Sequence, residues 1–192
     1  FKLENQLFYK ILTKHYLVEL SDNPDYIICS CFGKPYEYCS YDQVRIMFVG
    51  ENYIPDLNFI DYAITRYPIQ FGDRCFGMFD CLDENTHAKD LSKVHRDFDA
   101  SILSEKKFFA NFIAGHESEK NIRGDFFKSL CNYRRVESPG TYLNNMEGDY
   151  VVDFKNNSKI DFQKKCKFTL CFESTQHYGF VTEKIVDAYL AN

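Results

Sequence analysis

Tryptophan is absent from the 192 residues, and glycine and proline are sparse, at 9 and 5. No internal repeat or low-complexity tract occurs. No run approaches the ~18 apolar residues of a membrane span. Positive charge is not in excess: 23 basic against 28 acidic residues leave a net charge of −5, so nucleic acid is not an expected partner. G-x-S-x-G, Walker A and G-x-G-x-x-G are all missing, which removes support from serine hydrolase, P-loop ATPase and standard dinucleotide readings. His15, His87, His95, His116 and His177 show no H-x₃-H or H-E-x-x-H spacing, and Cys29-x-Cys31…Cys39 lacks the C-x₂-C pairing of zinc sites. No metal site is therefore expected.

What remains is a chain 45% hydrophobic and 17% aromatic, enough for one good core or two small ones. Its eight cysteines, Cys29, Cys31, Cys39, Cys75, Cys81, Cys131, Cys166 and Cys171, allow a disulfide framework by parity. Several lie in strand-like apolar runs, where free cysteine acts as a small hydrophobe, and the expectation is reduced, intracellular thiols.

The hydrophobic pattern alternates between strand and helix. Residues 4–18 read as a helix, "DYIICSCF" (25–32) as a buried strand, and "VRIMFVG" (44–50) and "DYAIT" (61–65) as two more strands. Residues 66–90 read as loop, and 91–107 as a charged segment compatible with helix. "KFFANFIAG" (107–115) is the next strand, 118–133 a helix and 134–140 a short strand. Residues 144–150 form a turn-rich loop, 159–166 a short helix, 167–174 a strand and 178–192 a last helix capped by Thr182. Such alternation implies an α/β chain with parallel sheets, whose ligands bind beyond the carboxyl ends of strands. Three loops fit that position: Gly50-Glu51-Asn52, Gly115 to Arg123, and Glu173 to Lys184. A domain boundary is expected near residues 100–106, separating 1–105 from 106–192.

Each loop carries a residue with two readings. Glu51 at a strand end suits a general base, or simply caps a turn. Arg123 near a helix start suits a bidentate grip on a diphosphate, or is a solvated surface arginine. Glu183 suits the positive end of the last helix, but Lys184 opposes the dipole unless an anion sits there. An ordinary surface Glu-Lys pair is the alternative.

"FTLCFESTQHYGFVTEKIVDAYLAN" resembles the donor-binding motif of the α1,3-fucosyltransferases of glycosyltransferase family 10, F-E-N-[ST] followed by G-Y-[VI]-T-E-K-[IL]-x-[DN]-A. In the same order, "VRIMFVGENYIPDLNFIDYAIT", "KFFANFIAGHESEKNIRGDFF" and "NNMEG" resemble that family's F-x-G-E-N, K-x-F-C-N-F…R-x-x-F and N-N-x-G segments. The likeness covers roughly residues 25–192. Departures are Ser174 for the F-E-N asparagine, Phe180 for tyrosine, His177 in the loop, Ala110 in C-N-F, and a loose "DRCFGMFD" (73–80).

The resemblance implies a GT-B-like fold: two Rossmann-like domains facing a cleft, the C-terminal one incomplete. It implies inverting transfer of fucose from GDP-fucose to an N-acetyllactosamine-like glycan, with no covalently bound cofactor. Glu51 matches the proposed base and Glu183 a carboxylate near fucose. Arg123 and Lys184 match the phosphate-binding pair, Glu173, Ser174 and Phe180 the remaining donor contacts, and Asn52 the acceptor side. The family continues beyond this last helix, so a truncated fragment is expected, with membrane contact, if any, through a further C-terminal segment. A bacterial member is expected in the cytoplasm, peripheral at the inner membrane; a eukaryotic one in the Golgi. Another GT-B sugar-nucleotide transferase, or an inactive fragment that only binds carbohydrate or nucleotide, stays open as an alternative.

Overall fold

The structure is a computed structural model and describes residues 3–32, 34, 36–69, 71–77, 101–118, 120–153 and 158–191. Two separate all-parallel sheets organise it. The first runs in the order β1 (Tyr26–Ser30), β2 (Val44–Val49), β3 (Tyr62–Thr65), β4 (Cys75–Gly77). Its register pairs Ile28 with Ile46 and Phe48 with Ile64. The second runs β6 (Val136–Glu137), β5 (Phe108–Phe112), β7 (Cys166–Leu170), with Ala110 opposite both Val136 and Phe168. The α/β expectation with parallel sheets therefore holds.

Helices are short except near the second sheet. They are α1 (Leu7–Leu12), α2 (Ser101–Glu105), α3 (Ile122–Tyr133), α4 (Ser158–Gln163) and α5 (Glu183–Ala191). The helix expected over 4–18 shrinks to α1 after a single 3₁₀ turn. Thr13 turns its hydroxyl back onto the Tyr9 carbonyl at 2.7 Å, and Leu17 beyond it is wholly exposed. What α1 contributes is Phe8, edge-on to Phe48 of β2 at 4.9 Å.

Three further readings change. β1 is not a buried strand: it is the edge of its sheet, and Tyr26 is 63% exposed. The loop expected over 66–90 contains β4, and its remainder from residue 78 lies outside the described residues, as do 91–100 of the charged segment. The strand expected over 134–140 pairs only at Val136–Glu137, because Ser138 already turns away, its N–H donating to Asn145 Oδ1 at 2.8 Å.

The second sheet carries the firmer core. Ala110, Phe112 and Ala114 alternate along β5 and beyond, meeting Phe127 of α3 and Val136 of β6. Phe112 stacks on Phe127 at 5.0 Å. A second cluster, Val152, Phe162 and Cys166, packs with Phe108 and Ile113. Helix α5 is held to α4 by Ile160, Val186 and Leu190, and by a Lys159–Asp187 ion pair at 2.7 Å. Lys106 donates to the Ala191 carbonyl at 3.4 Å, placing a cation at the negative end of α5. Gly140 passes so close to β5's exit that a methyl there would stand 2.3 Å from the Ala114 carbonyl oxygen. The first sheet has a smaller core of Met47, Val49 and Ile60, flanked by Cys29, Cys31 and Tyr38.

Candidate active site

In a parallel sheet every strand ends at the same edge, and loops leaving that edge are neighbours. From the second sheet, β5 leads through residues 113–121 into α3, and β7 leads through 171–182 into α5. These two loops bring together Arg123, Glu173, Thr182, Glu183 and Lys184.

Glu173 is the hub. Its Oε1 accepts from the Thr182 N–H at 2.8 Å, and its carboxylate holds the Thr182 hydroxyl at 2.8 and 2.9 Å. Lys184 Nζ reaches Glu173 Oε2 at 3.2 Å, Thr182 Oγ1 at 2.9 Å and Glu183 Oε1 at 3.5 Å. The anion that Lys184 holds in the first turn of α5 is thus a carboxylate of the chain itself. Thr182 precedes the helix as expected, but its hydroxyl serves Glu173 and Lys184. Burial pushes the Glu183 carboxyl up, yet Lys184, a backbone N–H and Lys159 outweigh it and hold the group below the usual carboxylate range.

Arg123 is not a surface arginine. It is 3% exposed in the first turn of α3, its Nη2 donates to the His116 carbonyl, and its Nε is buried without a hydrogen-bond partner. Desolvation lowers its pKa, opposed by the Tyr142 hydroxyl and the Glu173 carboxylate. Tyr142 in turn donates to Asn121 Oδ1 at 2.8 Å, so the "NNMEG" loop region braces the start of α3. Asn144 and Asn145 brace the loop itself: Asn145 bridges the Ser138 N–H and the Val136 carbonyl, and Asn144 the Gly140 and Tyr150 carbonyls.

Ser174 lies half-buried beside Glu173, next to Thr175, whose Oγ1 is buried without a partner. Phe180 is buried, and the Arg66 guanidinium lies over its ring at 5.7 Å. The first sheet presents its own carboxyl edge: Glu51 follows β2, exposed, and its carboxylate adds to burial in pushing up the thiol of Cys31 after β1. Asn52 accepts a hydrogen bond from the Tyr67 hydroxyl. Tyr67 and Tyr142 escape the sequence reading, and so does what Thr182 does beyond capping. Thr182 had been read only as a cap, and nothing in the spacing marks the two tyrosines among 14.

A cavity of about 740 Å³ opens at the opposite, amino edge of the second sheet, beside Lys107, Arg135 and Glu137, away from all these loops. Among the described residues no group of three or more His, Cys, Asp and Glu side chains suits a metal. One D-x-D triplet, Asp97-Phe98-Asp99, lies outside the described residues. The seven described cysteines are free thiols, and Cys81 lies outside. No helix among the described residues is long and apolar enough to cross a membrane.

Two family models match the chain: the N-terminal domain of alpha-(1,3)-fucosyltransferase FucT over residues 1–81, and the C-terminal domain of glycosyltransferase family 10 (fucosyltransferase) over 103–192. The chain is 31% identical to alpha-(1,3)-fucosyltransferase FucT of Helicobacter pylori, along 100% of its own length and 46% of that relative's. A crystal structure of α1,3-fucosyltransferase superposes with a TM-score of 0.78 at 27% identity, covering 98% of this chain and 61% of that one. A crystal structure of α1,3-fucosyltransferase with GDP gives 0.73 at 28% identity over 98% and 61%. One with GDP-fucose gives 0.71 at 26% identity over 99% and 61%. The chain therefore spans about half the length of the curated relative. With a fucosyltransferase model on each half, in order, and the parallel α/β architecture shared with solved α1,3-fucosyltransferases, the chain belongs to glycosyltransferase family 10.

Proposed function

We propose that the protein transfers fucose from GDP-fucose to a hydroxyl of an N-acetyllactosamine-like glycan, forming an α1,3 linkage with inversion at the fucose carbon. The observation that carries this reading is Arg123: a guanidinium buried at the carboxyl edge of the second sheet, with an unpartnered Nε and a lysine-bearing helix start sharing Glu173 with it. Burying a cation with a donor unmet is costly, and an anionic oxygen is the partner that offsets the cost. A leaving nucleoside diphosphate supplies such oxygens.

In this mechanism Arg123 and Lys184 take up the charge that develops on the diphosphate as the glycosidic bond breaks. Glu183, held ionised, faces the positive charge that builds on the sugar ring. Glu51, on the exposed edge of the first sheet, accepts the proton of the attacking hydroxyl, with Asn52 beside it on the acceptor side. Glu173, Ser174 and Phe180 complete the donor loop. Titration calorimetry with GDP and GDP-fucose beside UDP and ADP tests the donor. Binding selective for the guanine nucleotides, reduced at least tenfold in Arg123→Ala, is the expected result. Equal binding of UDP would redirect the reading to another sugar-nucleotide donor. Glu51→Gln is expected to bind GDP normally and to lose turnover by about 10²-fold or more.

A further inference from the structure

Residues 66–68 leave β3 at the carboxyl edge of the first sheet and run against the donor loop of the second. Three contacts join them. The Tyr67 ring meets the His177 ring edge-on at 5.7 Å. The Arg66 guanidinium covers Phe180. Gly179, at φ +78°, lies so near Pro68 that an added methyl would stand 2.9 Å from the proline Cδ. Tyr67 is itself buried, and its N–H donates to Thr65 Oγ1 at 3.1 Å, which fixes the strand exit. From this position its hydroxyl donates to Asn52 Oδ1, next to Glu51.

We infer that Tyr67 is a positioning residue that couples the donor loop to the acceptor side. An amide that accepts on Oδ1 has its orientation set, with Nδ2 turned the other way to donate to an acceptor-sugar oxygen. Tyr67 thus aligns Asn52, and through the adjacent backbone the Glu51 carboxylate, against the loop that carries the proposed donor contacts. The inference rests on the fucosyl-transfer reading, in which Glu51 and Asn52 face the acceptor. It predicts that Tyr67 matters to transfer onto a sugar hydroxyl and not to donor binding or to the slow release of fucose to water, which needs no aligned acceptor.

The test compares the full-length protein with Tyr67→Phe, which keeps the ring on His177 and removes only the hydroxyl. Three quantities are read: kcat and KM for transfer to N-acetyllactosamine, fucose release from GDP-fucose without acceptor, and GDP affinity. The expected result is a fall of about tenfold in transfer kcat, a loss of ~1.4 kcal/mol of transition-state stabilisation, with fucose release and GDP affinity unchanged. Asn52→Ala, which also removes the contact to the acceptor sugar, costs transfer kcat at least as much, and adding Tyr67→Phe to it costs nothing further, because the hydroxyl acts only through that amide. Wild-type transfer kcat in Tyr67→Phe overturns the inference. So does a parallel loss of transfer, release and GDP affinity, which marks a support of the fold alone. A wild-type protein that neither transfers nor releases fucose removes the fucosyl-transfer reading, and the inference with it.

Discussion

Two glutamate oxygens hold together the start of α5. Glu173 binds the Thr182 backbone, the Thr182 hydroxyl and Lys184 at once, and its side chain is mostly shielded. Glu173→Gln keeps the shape but removes the charge opposite Lys184. It is expected to lower stability by about 1–3 kcal/mol, read as a shift in urea midpoint at constant slope. A second residue-scale prediction concerns Cys166, wholly inaccessible, whose thiol burial raises to about 11 from 9.0. The unfolded thiol ionises first, so this contribution is intact below pH 9 and is lost as pH rises toward 11. Removing it by Cys166→Ala should flatten the alkaline fall in melting temperature by an amount equivalent to about 2–3 kcal/mol at full titration. The sequence announced Arg123 and Lys184 but not their surroundings. Charge and spacing alone do not separate a solvated arginine from a buried one. The His116 carbonyl that Arg123 donates to lies seven residues upstream in the same connection, and the Tyr142 hydroxyl that acts on it comes from beyond β6, so its surroundings depend on how the chain folds back.

At the scale of elements, the loop before α5 explains why a glycine stands where the last helix was expected to begin. The helix starts at Glu183, and Gly179 belongs to the approach, where φ is positive and Pro68 leaves no room for a side chain. Gly179→Ala is expected to cost about 1–2 kcal/mol from the backbone alone and to loosen the contact with residues 66–68. Denaturation reads the first effect, and a drop in GDP affinity the second. Gly140→Ala should be worse, since the added methyl meets backbone of Ala114 that cannot rotate away, and differential scanning calorimetry is expected to show a loss near 3 kcal/mol. Long apolar periods such as β2 and α3 were readable because burial on the strand or on one helix face imposes them. β4 was not, because three residues ending in glycine carry no period, and α1 was overextended because Thr13's back-bond overrides the apolar spacing.

For the whole molecule, strand-helix alternation was enough to give parallel sheets, and the order of motifs was enough to align both halves with one family. What alternation does not encode is that the sheets' carboxyl edges meet, which rests on side-chain contacts at Tyr67, Phe180 and Gly179. The described sheets contain no antiparallel pair, and that has a kinetic consequence. No strand finds its partner through a tight hairpin: β1 waits for β2 across residues 31–43, and β5 waits for β7 across 113–165. Each pairing must close its loop before any ladder bond rewards it. Stopped-flow refolding is expected to proceed in milliseconds to seconds with no microsecond hairpin phase. During that interval the edges of β1, β4, β6 and β7 are open to other chains, so refolding yield should fall as protein concentration rises.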